Sequence, residues 1–346
     1  MTAPLRVVQV VCSDAFAGVE RYVANVSNSL AEVGCEVSVL GGDRQRMTKE
    51  LSGDQKGWWP AATVPEAIRG LIRVGHVDIV HTHMTAAEMA AATVRIASSG
   101  RFVTTRHFAA RRGSGLPGRL ASVAIRRLVH SQLAVSDYVA ARVDGPSVVL
   151  PSGVPNQASV PPEKRTPVVL VAQRLEAEKQ TDLALRAWQR SELALSGWEL
   201  HLAGDGAQVG HLRRLAEELG VTDSCRFLGR RDDMAERYQT ASLFLALQPD
   251  EALGLSVLEA MAAGLPVVAA AGGGHLETVG AAPDAALFAP GDVEEAAQLL
   301  RSLGADQERR QAYGQQLQAL QRQRFDSSVQ AKKMVVLYER LINGDR

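Results

Sequence analysis

The sequence predicts an α/β protein built from two doubly wound domains. Three observations carry that expectation. The chain has 346 residues, more than one hydrophobic core usually serves, so two domains of about 150 to 180 residues are expected. Short apolar β runs recur along it, each followed by a loop and a segment with helical periodicity, the alternation that builds parallel sheets. The stretch 251–277, EALGLSVLEAMAAGLPVVAAAGGGHLE, condenses the alternation into a loop, a helix, a buried strand and a glycine turn.

Composition narrows the function classes. Hydrophobic residues make up 46% and charged residues 22%, the balance of an ordinary soluble globular protein. Lys and Arg number 38, as do Asp and Glu, so no bulk field draws the chain to nucleic acid. Cys12, Cys35 and Cys225 are odd in number and unpaired in spacing, which suits reduced thiols in a cytoplasmic protein. The opening MTAPLRVVQVVC has too short an apolar run for a signal peptide. Ala260 to Gly274, an uncharged and largely apolar run, is broken by Gly264, Pro266 and three glycines, so no membrane-spanning segment is expected.

In the first half, Val7 to Val11 reads as a strand, followed by the loop SDAFAGVE, a helix from about Val19 to Val33 closed by Gly34, and a strand from Glu36 to Leu40. Gly18 is the loop's only glycine, so the dinucleotide pattern G-x-G-x-x-G is missing and a nicotinamide dehydrogenase is disfavoured. On residues alone, Gly18 simply allows a tight turn. Val77 to Val80 is the next strand, ending in His81-Thr82-His83, whose two histidines share one side and lie near the crevice where such sheets bind ligands. They lack a third ligand in a recognisable pattern, and no metal site is assigned. Phe102 to Thr105 precedes Arg106-His107; Leu133 to Val135 precedes Ser136; Val148 to Leu150 precedes Pro151. Arg106, Arg111, Arg112, Arg119, Arg126 and Arg127 alternate with Phe108, Leu116, Leu120, Val123 and Ile125, a pattern that suits an anionic membrane surface or a solvated face.

Val154 to Pro167 is rich in Pro, Ser and Lys without periodicity and reads as the linker. The second half opens with VVLVAQRLEAEKQ, a strand running into Arg174 and Lys179. These can converge on a diphosphate, the Arg as a planar fork and the Lys as a point charge. Trp198 to Leu202, Cys225 to Leu228 and Leu243 to Leu247 are further strands, with an amphipathic helix ending at Gly220. The next helix, about Leu255 to Ala263, stops at Gly264-Leu265-Pro266, and Val267 to Ala271 is a strand covered on both faces. Its free N-terminal amides around Gly254 and Leu255 suit a phosphate. Glu259, about one turn in, can take vicinal ribose hydroxyls or stand solvated; Glu251, in the preceding loop, can face another part of the same ligand. Phe325 to Ile342 closes the chain as an apolar-striped helix with Ser327 and Ser328 as candidate caps.

Glu251 and Glu259 at E-x7-E, followed by AMAAGLPVVA and a glycine turn, resemble the donor-sugar site of the family 4 retaining glycosyltransferases. The resemblance extends to QRLEAEKQ, which stands where that family has G-R-L-x-x-E-K-G, with Gln173 and Gln180 in place of both glycines. It extends also to Ala17-Gly18-Val19-Glu20, which stands where the family has G-G-x-E. It implies the GT-B architecture, an α/β fold of two Rossmann-like doubly wound domains facing across a cleft. The acceptor-side domain would be 1–158, the nucleotide-sugar domain 165–324, and a C-terminal helix at 325–346 would cross back to the first domain.

It further implies that a hexosyl group passes from a UDP- or GDP-sugar to an acceptor hydroxyl with retention, without a metal and with no cofactor beyond the donor. D-x-D, which holds a divalent ion in the other large glycosyltransferase architecture, does not occur in the chain. The candidate catalytic residues are His107, Arg174, Lys179 and Glu251, and the donor-binding set is Gly18, Arg174, Lys179, Glu251, Gly254, Leu255 and Glu259. The resemblance brings His107 near the transferring sugar, Gly18 near the donor phosphates, and the loop Arg230 to Asp233 near the base. A glycan or lipid-linked acceptor is expected, in the cytoplasm or against the inner face of the cell membrane, with no nucleic-acid partner. The acceptor side includes Trp58-Trp59-Pro60, for which no element suggests itself. Rival functions are a nucleotide-sugar epimerase of the same architecture, a non-catalytic sugar-binding protein, and a pyridoxal-phosphate-dependent phosphorylase.

Overall fold

The computed structural model describes residues 3–52, 57–94, 100–113 and 115–344, without the side chains of 115–121. The chain divides into two compact units, Met1–Gly153 with Phe325–Arg346, and Val154–Arg324. The division after Gly153 lies before the boundary expected at 158, because Val154 is already bonded to its own unit through the Gln321 side chain (Nε2 to Val154 O, 3.0 Å).

The first unit carries seven strands, β1 (Arg6–Val11), β2 (Glu36–Leu40), β3 (Gly57–Trp59), β4 (Ile79–His83), β5 (Arg101–Arg106), β6 (Ser131–Ala134) and β7 (Val148–Val149). They form one sheet in the order β3-β2-β1-β4-β5-β6-β7, with every pairing parallel. Parallel neighbours require crossovers, which the helices supply: α1 (Gly18–Glu32), α2 (Arg44–Glu50), α3 (Val64–Val74), α4 (Thr85–Val94), α5 (Gly115–Leu128) and α6 (Asp137–Ala140). With both faces covered, Val7, Val8, Val10 and Val11 are all fully buried, as the continuous apolar run requires.

One strand lies elsewhere than expected, and one segment without an expected element proves to be a strand. The strand placed at Val77 to Val80 runs from Ile79 to His83, because Gln9 and Val11 of β1 pair with His81 and His83 and draw the polar triplet into the sheet. Trp58-Trp59 lies in the edge strand β3, where Trp58 Nε1 donates to the Gly41 carbonyl at 2.7 Å.

The second unit repeats the plan with β8 (Val168–Ala172), α7 (Thr181–Ser191), β9 (Glu199–Ala203), α8 (Val209–Glu218), β10 (Cys225–Gly229), α9 (Met234–Thr240), β11 (Leu243–Ala246), α10 (Leu255–Ala262), β12 (Val267–Ala270), β13 (Ala286–Phe288), α11 (Val293–Ala305) and α12 (Gln307–Arg324). Its sheet is again all parallel, in the order β10-β9-β8-β11-β12-β13. Val257, Leu258 and Met261 of α10 are 1% exposed or less, and each contributes roughly 1.5–3 kcal/mol by leaving water. That burial anchors a helix of only eight residues, too short to persist by propensity.

The last helix, α13 (Ser327–Asn343), belongs to the first unit and packs on α1. Its cap is Asp326, whose Oδ1 accepts from Ser328 N at 2.6 Å, rather than Ser327 or Ser328; those two residues form the first turn. Gln330 ties α13 down by accepting from Gly153 N (2.8 Å) and donating to Tyr22 Oη (2.9 Å).

Candidate functional site

In the second unit the strand order reverses between β8 and β11, so the loops leaving their C-terminal ends diverge and open a crevice. The loop after β8 ends in a single 3-10 turn at Ala177–Lys179, and the loop after β11 carries Glu251. The two loops meet: Lys179 Nζ stands 2.9 Å from Glu251 Oε2, with the side chains 17% and 26% exposed. This pair joins residues 72 apart in sequence.

Gln173 and Gln180, which stand where the resemblance has glycines, explain how the first loop holds its shape. Gln180 sits in the left-handed region (φ 52, ψ 39), where a glycine would carry no Cβ penalty. Gln173 compensates by donating from Nε2 to Lys179 O and Thr181 Oγ1, both at 2.9 Å, clamping the loop across its base.

The glycine turn after β12 has an equally local cause. A Cβ on Gly272 would lie 2.4 Å from Pro249 O, one on Gly273 2.4 Å from Glu251 O, and one on Gly274 2.4 Å from Leu253 Cα. The Glu251 loop therefore lies flat on bare backbone, fastened by Gly274 N donating to Glu251 O at 2.8 Å. His275, 2% exposed, completes the floor. Its Nδ1 faces the Ala270 carbonyl at 3.1 Å; a carbonyl only accepts, so Nδ1 carries the proton and Nε2 the lone pair. Burial holds this imidazole below its ordinary pKa, with Lys179 acting the same way and Glu251 opposing.

Gly254 caps α10 at φ 91 with no side-chain hydrogen bond, so the N-terminal amides beginning at Leu255 carry their partial positive charge towards the same loops. Glu259, half-buried on α10, accepts from the Tyr238 hydroxyl of α9 at 3.0 Å through Oε2. Arg174 is the exception to this convergence: it is 63% exposed, and its Nη2 donates to Glu178 Oε1 at 2.9 Å, an i,i+4 pair. The structure therefore brings Lys179 and Glu251 into direct contact and leaves Arg174 on the exposed side of its loop.

In the first unit, Gly18 is the first residue of α1 and nothing lies within 4 Å of where its Cβ would be. No tight turn demands this glycine. Glu20 reaches back to cap the helix, its Oε2 accepting from Ala17 N at 2.8 Å.

His107 heads a buried polar cluster that sequence reasoning had not assembled. Its Nε2 lies 3.0 Å from His83 Nδ1, and His83 Nε2 lies 2.7 Å from Gln9 Oε1. With Gln9 accepting, His83 Nδ1 holds a lone pair that accepts from His107 Nε2, and His107 Nδ1 remains an acceptor. His81 bridges Tyr338 Oη (2.6 Å) and Thr105 Oγ1 (2.7 Å), and the Tyr22 ring stands edge-on to His83 and His107 at centroid distances of 5.5 and 4.7 Å. Burial drives His81 and His107 down to about 3 and His83 well below its ordinary value, so all three are neutral; burial also pushes Tyr22 up to about 12. The H-T-H text was the available signal, and its partners on β1, β5 and α13 were not.

The basic stretch from Arg106 to Arg127 is not one cationic surface. The Arg112 side chain is fully buried, with Nε and Nη2 on the Glu88 carboxylate (2.5 and 2.7 Å) and Nη1 on Asp144 Oδ2 (2.9 Å). Arg106 Nη1 shares Asp144 at 3.3 Å. Arg111, Arg126 and Arg127 are exposed, while the side chains of Leu116, Arg119 and Leu120 lie outside the described residues. Among the described residues no helix is long and apolar enough to cross a membrane, and no group of three His, Cys, Asp or Glu is placed to hold a metal ion.

Comparison with known proteins agrees with this geometry. The description "Glycosyl transferases group 1" matches residues 155–319, and "Glycosyltransferase Family 4" matches residues 16–156. The GDP-mannose-dependent monoacylated alpha-(1-6)-phosphatidylinositol monomannoside mannosyltransferase of Corynebacterium glutamicum is 30% identical over 290 residues, covering 74% of each chain. The chain belongs to the group 1, family 4 glycosyltransferases. An exopolysaccharide phosphotransferase of Streptomyces coelicolor is 34% identical to this glycosyltransferase over 177 residues, 51% of this chain; the match spans only 19% of that relative's length. The Anabaena protein HepE, solved in complex with UDP and glucose, superposes with a TM-score of 0.79 at 17% identity, covering 97% of this chain and 99% of that one. At that identity the likeness speaks for the fold, the paired Rossmann-like plan of GT-B glycosyltransferases.

Proposed function

We propose that this glycosyltransferase moves a hexosyl group from a nucleoside diphosphate sugar to an acceptor hydroxyl, with retention at the anomeric carbon and without a required metal. The observation that carries this reading is the contact of Lys179 with Glu251 beside the uncapped N-terminus of α10. Breaking the glycosidic bond to a diphosphate leaves negative charge on the departing oxygen, and stabilising that charge is the main task of the site. An ammonium has three N–H donors; Glu251 takes one on Lys179, leaving two for phosphate oxygens. The α10 amides add a fixed dipole, and Arg174, free to swing from its exposed pair with Glu178, adds a planar fork.

The acids divide the polyol work. Tyr238 fixes one oxygen of Glu259, which turns the carboxylate into an oriented acceptor for two vicinal ribose hydroxyls. Glu251, held by Lys179, offers its other oxygen to a hydroxyl of the donor sugar. His107 is neutral and exposes a lone pair at Nδ1, so it suits a hydroxyl contact rather than a charge–charge contact. None of these groups is poised as a nucleophile, which fits departure and attack on one face of the sugar.

The donor nucleotide is UDP or GDP in this reading: the Anabaena neighbour was solved with UDP, and the Corynebacterium relative is GDP-mannose-dependent. The acceptor in that relative's name, a monoacylated phosphatidylinositol monomannoside, supports a lipid-linked or glycan hydroxyl. A thermal-shift panel of UDP, GDP, ADP and dTDP with their sugars tests the donor, since saturation at 100 times the Kd adds about 2.7 kcal/mol of stability. One base should raise the melting temperature well above the others, and its labelled sugar should pass to acceptor with the anomeric configuration kept. Indifference to all four nucleotides, or conversion of donor sugar in the absence of acceptor, would overturn the reading.

A further inference from the structure

The second unit has a cavity of about 380 Å³ that the reaction does not use, in the size range of small-molecule sites. It lies where Pro167, Ser242 and Pro266 lead into β8, β11 and β12, so it opens at the N-terminal edge of the sheet, opposite the edge that carries Lys179 and Glu251. Two arginines line it, Arg165 and Arg310, together with the amides of Gln307, Gln311 and Gln315, and no Asp or Glu is among its lining residues.

Among the described residues neither arginine pairs with a carboxylate. Arg165 closes three helix-end carbonyls, donating from Nη1 to Tyr238 O (3.2 Å) and Ala241 O (2.7 Å) and from Nη2 to Ala263 O (2.6 Å). Arg310 donates from Nη1 to Leu303 O (2.6 Å) and Gly304 O (2.9 Å), with its guanidinium over the Trp198 ring. A guanidinium has five N–H donors, so among the described residues Arg165 keeps two uncommitted and Arg310 keeps three. Burial and the charge of Arg310 pull Arg165 down to about 10, and burial lowers Arg310 despite Asp306. Two desolvated cations facing one polar cavity repel each other, and an anion between them would remove that repulsion.

We propose that this cavity binds a phosphate dianion, free or as a small phosphomonoester, between Arg165 and Arg310, at a second site separate from the Lys179–Glu251 loops. The carbonyl bonds fix each guanidinium edge, so the remaining donors are preorganised for phosphate oxygens. The exposed amides of Gln311 and Gln315 rim the opening.

The test is thermal unfolding of the full chain titrated with inorganic phosphate and with glycerol 3-phosphate, against sodium chloride at equal ionic strength. A saturable rise in melting temperature is expected. Arg310→Gln should weaken it about tenfold, the worth of one charge-assisted hydrogen bond. Because Arg310 also closes the end of α11, a second variant is needed: Gln311→Glu, on an exposed position, leaves every capping bond in place and should weaken phosphate binding by repulsion alone. Lys179→Ala should leave it unchanged. A phosphate effect no larger than that of chloride, a phosphate effect in both cavity variants as strong as the parent's, or an effect abolished by Lys179→Ala would overturn the proposal. The last outcome would assign the anion to the α10 loops and leave the donor reading standing.

Discussion

Two fully buried histidines, His81 and His83, should make the first unit sensitive to mild acid. His81 and His83 are fully buried and neutral, held at about 3 and well below the ordinary value. In the unfolded chain each takes a proton near the ordinary histidine value of 6.5. Between 6.5 and the folded values the unfolded state therefore binds more protons, and stability falls as pH falls. One unit below the unfolded pKa, at pH 5.5, each histidine costs about 1.3 kcal/mol more than at pH 7, so the two together cost about 2.5 kcal/mol relative to neutral pH. That is a large share of the roughly 5–15 kcal/mol that holds a domain together. Hydrogen exchange of the β4 and β5 amides, corrected for intrinsic rates, reads the opening free energy at pH 7 and 5.5. His81→Gln keeps a polar side chain between Tyr338 and Thr105 but cannot titrate, so it should remove about half of the pH difference whatever it does to absolute stability. No pH difference in the parent protein, or the same difference in His81→Gln, would refute the reasoning.

Other consequences are local. Gln180→Gly should stabilise by about 0.5 to 1 kcal/mol in urea denaturation, because it relieves a left-handed side chain and is offset only by the freedom glycine gains when unfolded. Gly273→Ala should destabilise by about 2 to 4 kcal/mol and lower turnover, since its Cβ would press on Glu251 O from a φ of 51. If the exposed Arg126 and Arg127 meet an anionic membrane, the paired substitution Arg126→Gln with Arg127→Gln should weaken sedimentation with anionic vesicles without changing nucleotide binding; equal binding of both proteins, or equal indifference to anionic and neutral vesicles, would rule that contact out.

Much of the fold was legible because chain punctuation is local. Gly264, Leu265 and Pro266 end one helix and start one strand within a few residues, and the structure closes α10 at Ala262 and opens β12 at Val267. Elements whose signal is tertiary were hidden. β4 contains two histidines that only a buried polar cluster makes acceptable inside a sheet, and β3 is a three-residue edge strand. Direction was hidden as well. Arg112 looks like its exposed neighbour Arg111 until Glu88 and Asp144, 24 and 32 residues away, turn it inward.

The candidate site divides along the same line. Text near the backbone, such as Gly254 as a helix start and the glycine triplet, has a visible steric cause. The long side chains do not announce their partners: Lys179 reaches Glu251 while Arg174, five residues earlier, stays with Glu178. His275 lies inside the 251–277 stretch, yet only the packing of the loop on the glycine turn brings it within reach of the Glu251 charge. Tyr238 gave no signal at all, since its link to Glu259 spans 21 residues and two helices.

In the proposed reaction Lys179 grips the diphosphate of the donor. Calorimetric titration of the parent protein and Lys179→Ala with the preferred nucleoside diphosphate, and with the matching nucleoside lacking phosphate, measures it. A loss of about tenfold or more for the diphosphate with little change for the nucleoside is expected. Equal affinity of both proteins for the diphosphate would contradict the claim.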